Sequence, residues 1–524
     1  MKHIYTLIIG LAAVMLTACQ PKEKKPVVIL FENDVHCAID EYAKFSALRN
    51  QIKHETPYVA VVSAGDFAQG AAIGSISQGE SIIKVMNAVG YDATTIGNHE
   101  FDYGIPQQQH LMKELHADVV CCNFTTIDEA QLYKPYCLRQ FGEVTVAFVG
   151  AATPLTLSSS TPTYFEDENG KCIYSFHSDD TFELIQGAAD NARRQGADYV
   201  IVLSHLGDDS ALDNSVELIQ NTTGIDAVLD GHQHHIINRK IVNVTGDSVI
   251  LASTGTQFQR FGKLTIDTTG VMSVELIKNT PDMAKDPRIE RVVAKIEAEM
   301  QERIGKVVGH TEVELTMLKD GEREVRRGET NLSDFLTDAF RIASGADIAL
   351  MNGGGIRNQI NKGDITFGDV YSVIPFNNTV RKLQCTGQQL LDALEVGVAL
   401  APEENGDFLQ ASGLRYTYTT KIPSSVMLDH NQLFVGVGQT RRILSAEVAH
   451  NGEWVPVHPD STYTIGGQSY ILTSKGASGA LQYMQEVECD HIGDVQAVLN
   501  YLNQIGSVSA EQYGKAQDRV VCVD

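Results

Sequence analysis

The chain is poor in paired cysteine motifs, in long apolar runs and in positive charge, and each shortage removes a class of protein. Its nine cysteines are scattered over 524 residues with no Cys-x-x-Cys pair. A disulfide scaffold and a cysteine-ligated structural zinc are therefore not expected. The one long apolar run, from Ile4 to Leu16, is too short to span a bilayer as a mature helix. No later stretch is long and apolar enough for a transmembrane helix. Lys and Arg number 41 against 66 Asp and Glu, a net charge of −25. So acidic a surface argues against a nucleic-acid polymer as partner, because phosphate backbones need cationic neutralisation. A small phosphate substrate remains open if metals or clustered arginines hold it. Internal repeats and low-complexity tracts are also missing. With 43% apolar residues, the length suffices for two or three domains with ample cores.

What is there is a series of apolar strands ending in metal-type donors. Residues 27–31 read as a buried strand leading into Glu32-Asn33-Asp34-Val35-His36. In extended chain Asp34 and His36, two apart, project to the same side. A helix with Phe45, Leu48 and Ile52 on one face follows, and a strand over 58–62 ends in Gly65-Asp66. After a helix bearing Ile82, Ile83, Met86 and Val89, a strand over 91–96 runs into Gly97-Asn98-His99-Glu100-Phe101-Asp102. Gly97 allows a sharp turn. Asn98 offers a neutral oxygen and His99 an imidazole, which Asp102 is close enough to orient. Strands over 199–203 and 226–229 end in Ser204-His205 and Asp230-Gly231-His232-Gln233-His234.

In α/β sheets, ligands bind beyond the carboxyl ends of the strands. Five such ends bearing imidazole, carboxylate and amide suggest convergence on divalent ions such as Zn, Mn, Co or Fe. His235 reads as a bystander, and His54, His110, His116 and His177 have no motif context. Cys37 reads as packing beside the site, open to oxidation.

Asp34-x-His36, Gly65-Asp66, Gly97-Asn98-His99-Glu100, His205 and Gly231-His232-x-His234 together resemble the calcineurin-like metallophosphoesterase signature. The resemblance implies two mixed sheets packed face to face with helices outside, a four-layer α/β/β/α domain. It implies one metal on Asp34, His36, Asp66 and His234. A second would sit on Asp66, Asn98, His205 and His232, with Asp66 bridging. His99, held by Asp102, would stabilise developing charge and protonate the leaving oxygen.

Residues 282–309 read as a charged helix begun by Pro287, a link between domains. Beyond it a second strand–helix series begins, where Asn331 reads as a helix cap. A strand over 347–351 enters Asn352-Gly353-Gly354-Gly355-Ile356-Arg357, whose glycines let backbone approach a ligand and whose Arg357 can fork onto phosphate. This motif, Ile374-Pro375-Phe376 and Gly406-Asp407-Phe408-Leu409-Gln410 resemble in their order the C-terminal domain of 5′-nucleotidases. By that resemblance Arg326 and Arg357 bind the substrate phosphate, with Arg323 and Arg327 close by. Asn352 binds the nucleoside side, Phe376 and Tyr470 sandwich the base, and Gly406 lines the pocket. The Asp with which relatives contact ribose is missing from Thr473-Ser474-Lys475-Gly476-Ala477-Ser478-Gly479, where Ser478 offers only a hydroxyl. Discrimination between ribose and deoxyribose is therefore expected to be modest.

The organisation expected is a leader over 1–18, a tether over 19–26 and a metallophosphoesterase domain over 27–281. The linker helix over 282–309 and a smaller mixed α/β substrate domain over 310–524 complete it. Leu16-Thr17-Ala18-Cys19 looks like a bacterial lipobox, which implies lipid on Cys19 and a place on the cell envelope. The function expected is two-metal removal of the 5′-phosphate from nucleotides. The same fold also serves 2′,3′-cyclic phosphodiesterases with 3′-nucleotidase activity and nucleotide-sugar pyrophosphatases. A non-catalytic nucleotide-binding lipoprotein would be expected to have lost donors or the His–Asp pair, and this chain keeps them all.

Overall fold

The computed structural model describes residues 25–524 except 161, 168–170, 211, 430–433, 474–476, 482–483, 488 and 490–491. The expected leader and Cys19 lie outside the described residues.

The apolar runs become the strands of two six-stranded sheets. One has the order Met272–Lys278, Arg260–Ile266, Val27–Glu32, Val59–Ser63, Ala93–Thr94, Asp118–Val119. The other runs Ile236–Val242, Ser248–Thr254, Ala227–Asp230, Tyr199–His205, Val144–Ala152, Tyr136–Phe141. Alternate residues of the central strands, among them Ile29, Phe31, Val62, Phe148, Leu203 and Leu229, meet in one core between the sheets. The opposite face of the first sheet packs under the helices Tyr42–Glu55 and Glu80–Val89, with Phe45, Ile82 and Met86 buried. That of the second packs under Thr181–Arg194 and Ser215–Asn221, through Ile185, Ala189 and Leu218. Both faces of each sheet are thus apolar, which is why these strands read as unbroken runs. Strands 27–32, 59–63 and 93–94 are parallel, as are 144–152, 199–205 and 227–230. Their carboxyl ends therefore open on one edge of the sandwich. The third strand is only Ala93–Thr94, shorter than the expected 91–96, because the chain leaves the sheet to form the site loop.

Pro287–Ile304 is the charged helix, capped by Asp286, whose side chain accepts from the Arg288 N–H. Its apolar face, Ile289, Val293 and Ile296, is buried in the first domain's core. The second domain centres on a five-stranded sheet, Leu409–Ser412, Ile348–Asn352, Thr462–Gln468, Val380–Thr386 and Gln485–Glu486. Its helix Asn331–Ser344 is capped not by Asn331 but by Thr330, in a reciprocal box with Ser333. The Asn331 amide is occupied elsewhere, accepting from Thr316 N and donating to the Glu314 and Tyr513 carbonyls. Ser75 of the first domain donates to the Pro375 carbonyl at 2.7 Å, and the Asn377 amide donates to the Ser75 carbonyl at 3.3 Å. This contact pins the loop bearing Phe376 to the first domain.

Candidate metal centre and substrate cavity

The donors at the strand ends converge. Asp34, His36 and His234 form one group, and Asp34, Asp66 and His205 another, with donor atoms in each within 4.8 Å of one another. His205 Nε2 lies 3.0 Å from Asp66 Oδ2 and 3.9 Å from Asp34 Oδ1. His234 Nε2 lies 3.5 Å from Asp34 Oδ1 and 3.0 Å from His36 Nε2. His232 Nδ1 faces Asn98 Oδ1 at 3.0 Å. The carboxylate common to the two groups is Asp34, whereas the resemblance makes Asp66 the bridge. Asp66 turns Oδ1 to the His99 N–H at 2.8 Å and Oδ2 to His205.

Backbone conformation departs from the extended chain expected of Asp34-x-His36. Asp34, His36, Asp66, His232 and His234 have φ of 51°, 45°, 58°, 80° and 60°. Side-chain-bearing residues adopt this left-handed region rarely, at a cost of ~1–3 kcal/mol each, and clusters of them mark functional sites. Gly97 serves space rather than a turn: a Cβ there would lie 2.2 Å from Asp66 Oδ1 and 2.7 Å from His205 Nε2.

The donor set fits divalent cations. His205 Nδ1 donates to the Ala64 carbonyl at 2.6 Å, so its buried Nε2 faces two carboxylates. Such a nitrogen must carry either a proton or a cation. Burial opposes the proton, but Asp66 and Asp34 together push His205 up to about 10. Burial, with Asp66 adding to it, raises Asp34 to about 7 against the pull of His205. Burial also lowers His36 and His232 to about 3, leaving neutral imidazoles with lone pairs to offer. The Gln69 carbonyl accepts from His36 Nδ1 at 3.0 Å and so aims its Nε2 at the centre.

Beside this centre, His99 Nδ1 and Asp102 Oδ2 are 2.7 Å apart, and both residues are buried. Burial opposes charge on His99, yet Asp102 and Asp66 raise its pKa above the ordinary histidine value. His235 bonds Asp208 through Nδ1 at 2.7 Å, and His177 bonds Thr125 and Asp180. Burial pushes the Cys37 thiol far up, so the reactive thiolate is scarce and the expected oxidation risk is small. The eight described cysteines are all free.

A cavity of about 650 Å³ lies over the centre, between the domains. Asp66, Asn98, His99, Asp102, His232 and His234 line it from the first domain, and Arg326, Asn352, Arg357, Phe376, Gly406 and Tyr470 from the second. All six substrate residues expected from the sequence therefore share one wall. The glycine run brings them there. A Cβ on Gly353 would lie 2.1 Å from the Val325 carbonyl, so only glycine lets this loop lie against the segment bearing Arg326. The Asn352 amide donates to the Gly406 carbonyl at 3.0 Å, while its Oδ1 and the Nε of Arg357 are buried without partners. The Arg357 guanidinium stands 5.0 Å over the Phe376 ring. Burial, then Arg357 and Arg323, lower Arg326 to about 9, so the wall leaves its cation short of compensating charge. Arg327 turns away to Glu322 and Glu324. Arg323 lines the cavity and pairs with Glu404 at 2.6 Å, a wall residue that only its nearness to Arg326 signalled. Gln468 and Asn378 also line it, and no motif marked either.

A sandwich of two mixed sheets with His, Asp and Asn donors at one edge is the arrangement of calcineurin-like metallophosphoesterases, here with a second domain across the cavity. Residues 27–235 match the calcineurin-like phosphoesterase family and residues 307–484 the 5′-nucleotidase C-terminal domain. The chain thus joins a calcineurin-like phosphoesterase domain to a 5′-nucleotidase C-terminal domain. It is 27% identical to the trifunctional nucleotide phosphoesterase protein YfkN of Bacillus subtilis over 94% of its own length, but spans 35% of that protein. It is 25% identical to human 5′-nucleotidase, over 79% of this chain and 78% of that one. The crystal structure of a 5′-nucleotidase precursor from Thermus thermophilus matches with a TM-score of 0.79 and 25% identity, over 95% of this chain and 99% of that one.

Proposed function

We propose that this chain is a metal-dependent 5′-nucleotidase that hydrolyses nucleoside 5′-monophosphates. One observation carries the reading: paired arginines and aromatic rings from the second domain line the same cavity as the metal donors and the His99–Asp102 pair. A phosphoryl group at the centre then has its nucleoside side toward Asn352, Phe376 and Tyr470. Asp34, His36 and His234 would hold one ion and Asn98, His205 and His232 the other, with Asp66 between. Divalent ions held by these residues would supply Lewis acidity toward the phosphoryl oxygens and toward water. Arg326 and Arg357 bind the phosphate by charge-assisted hydrogen bonds. His99, its Nδ1–H held by Asp102, carries a proton on Nε2 for the leaving 5′ oxygen.

The test is phosphate release from AMP, 3′-AMP, 2′,3′-cyclic AMP and UDP-glucose, after chelation and after adding back Mn, Co or Zn. AMP should be the best substrate, and only with metal. A preference for the cyclic ester or the nucleotide sugar would assign the chain to another activity of this fold.

The lipobox-like Leu16-Thr17-Ala18-Cys19 supports an envelope lipoprotein. Cys19→Ser should abolish labelling by fatty acid, and a labelled variant would refute the anchor.

A further inference from the structure

Glu100 sits inside the Gly97-Asn98-His99-Glu100 motif, yet it faces away from the cavity, wholly buried. Its carboxylate accepts four backbone N–H bonds. Oε2 takes those of Asp66 at 2.9 Å and Gly97 at 2.6 Å. Oε1 takes those of Phe67 at 2.8 Å and Ala68 at 3.0 Å. Three of the donors are consecutive, beginning at Asp66 with its φ of 58°. Successive N–H groups around a left-handed residue form a concave nest that binds an anion, and here the anion is a side chain of the neighbouring loop.

We infer that Glu100 is a positioning residue for the metal centre: it holds Asp66 in its left-handed conformation and fixes the distance from Asp66 to Asn98. Four donors on two oxygens need a carboxylate, since an amide would turn its NH₂ group onto two of them. The clamp joins the loop 64–68, which presents Asp66, to the loop 96–100, which presents Asn98 and His99. The approach of the loops is already tight, because Gly97 has no room for a Cβ beside Asp66 and the His99 N–H bonds Asp66 Oδ1. A shift of the first loop moves Asp66, assigned to both ions, and a shift of the second moves Asn98, assigned to one. Glu100 itself neither touches substrate nor donates to a metal.

The inference rests on the metal reading of the site, and the experiment separates the two. Metal-stripped wild-type protein is titrated with Mn²⁺ by calorimetry and with Co²⁺ by visible absorption, alongside Glu100→Gln and Glu100→Asp. Failure of the wild type to bind two ions would refute the centre itself. With the wild type binding two ions, Glu100→Gln should bind them roughly 10–100-fold more weakly, the usual consequence of losing a group that orients ligands. Its Co²⁺ spectrum should change as Asp66 moves. Glu100→Asp keeps the charge but is one methylene short, and should fall between the two. If Glu100→Gln does not fold, Glu100→Asp carries the test. A folded variant with wild-type affinity and an unchanged Co²⁺ spectrum, whatever its melting temperature, would reduce Glu100 to a packing residue and overturn the inference.

Discussion

The ring of Phe376 lies 5.8 Å from the imidazole of His99, tilted 33° to it, although each belongs to a different domain. The residue paired with Asp102 is thus in contact with the residue assigned to the base. Arg357 stands on Phe376 as well, so proton donor, aromatic platform and phosphate grip form one contiguous surface.

His99→Ala should lower kcat by about 10²–10⁴-fold, the usual worth of general acid–base help, with little change in KM. Asp102→Asn should act in the same direction and add little to His99→Ala, because the two residues act as a unit. Steady-state kinetics of the single and double variants check this. Fully additive losses would mean that the 2.7 Å contact has no catalytic role.

Asp66→Ala should lose both ions in elemental analysis of dialysed protein, and Asp34→Ala one. The geometry makes this a sharp comparison, since Asp34 is the carboxylate common to both donor groups. The reverse order would give the bridging role to Asp34.

Much of the first domain is legible in sequence because its determinants are local. An unbroken apolar run means a strand buried on both faces, and a short polar motif at its end means a donor. The left-handed φ of Asp34, His36 and Asp66 is not legible this way. It follows from contacts such as the Glu100 clamp, made only when a second loop arrives. The cap at Thr330 shows the same limit. Thr330 and Asn331 are adjacent candidates, and the choice falls on Thr330 because the Asn331 Oδ1, the atom a cap would use, accepts instead from the Thr316 N–H. In the second domain, spacing says nothing about Arg326, Asn352, Phe376 and Tyr470 meeting on one wall. Resemblance to a family supplied that expectation; Arg323 was marked only by its place beside Arg326, and Gln468 emerged only from the fold.

Stability should depend on pH through Asp494, whose Oδ2 accepts from Gln468 on the cavity wall at 2.7 Å. Burial pushes this carboxyl up to about 7. A folded pKa above the unfolded one gives stability that is complete below about pH 4 and lost as pH rises through about 7. Asp494→Asn should therefore melt closer to, or above, the wild type at pH 8 than at pH 5. A domain the size of the second moves roughly 2–4 °C per kcal/mol. Thermal melts of both proteins across that range check it, and a constant difference would show that Asp494 does not titrate between them.

AMP and dAMP should be cleaved with similar kcat/KM. The Asp with which relatives contact ribose is missing from 473–479, and Ser478 lies outside the residues whose side chains are described. A large preference for AMP would mean that another group on the cavity wall reads the 2′-hydroxyl.

The most direct measurement compares AMP with p-nitrophenyl phosphate, an ester without a nucleobase, for wild type, Phe376→Ala, Tyr470→Ala and Arg357→Ala, with melts to confirm folding. The aromatic variants should raise KM for AMP, stacking on a base being worth roughly 1–3 kcal/mol, and leave p-nitrophenyl phosphate nearly unchanged. Arg357→Ala should impair both, since both carry the phosphate. Equal losses on both substrates for Phe376→Ala and Tyr470→Ala would contradict the nucleotidase reading.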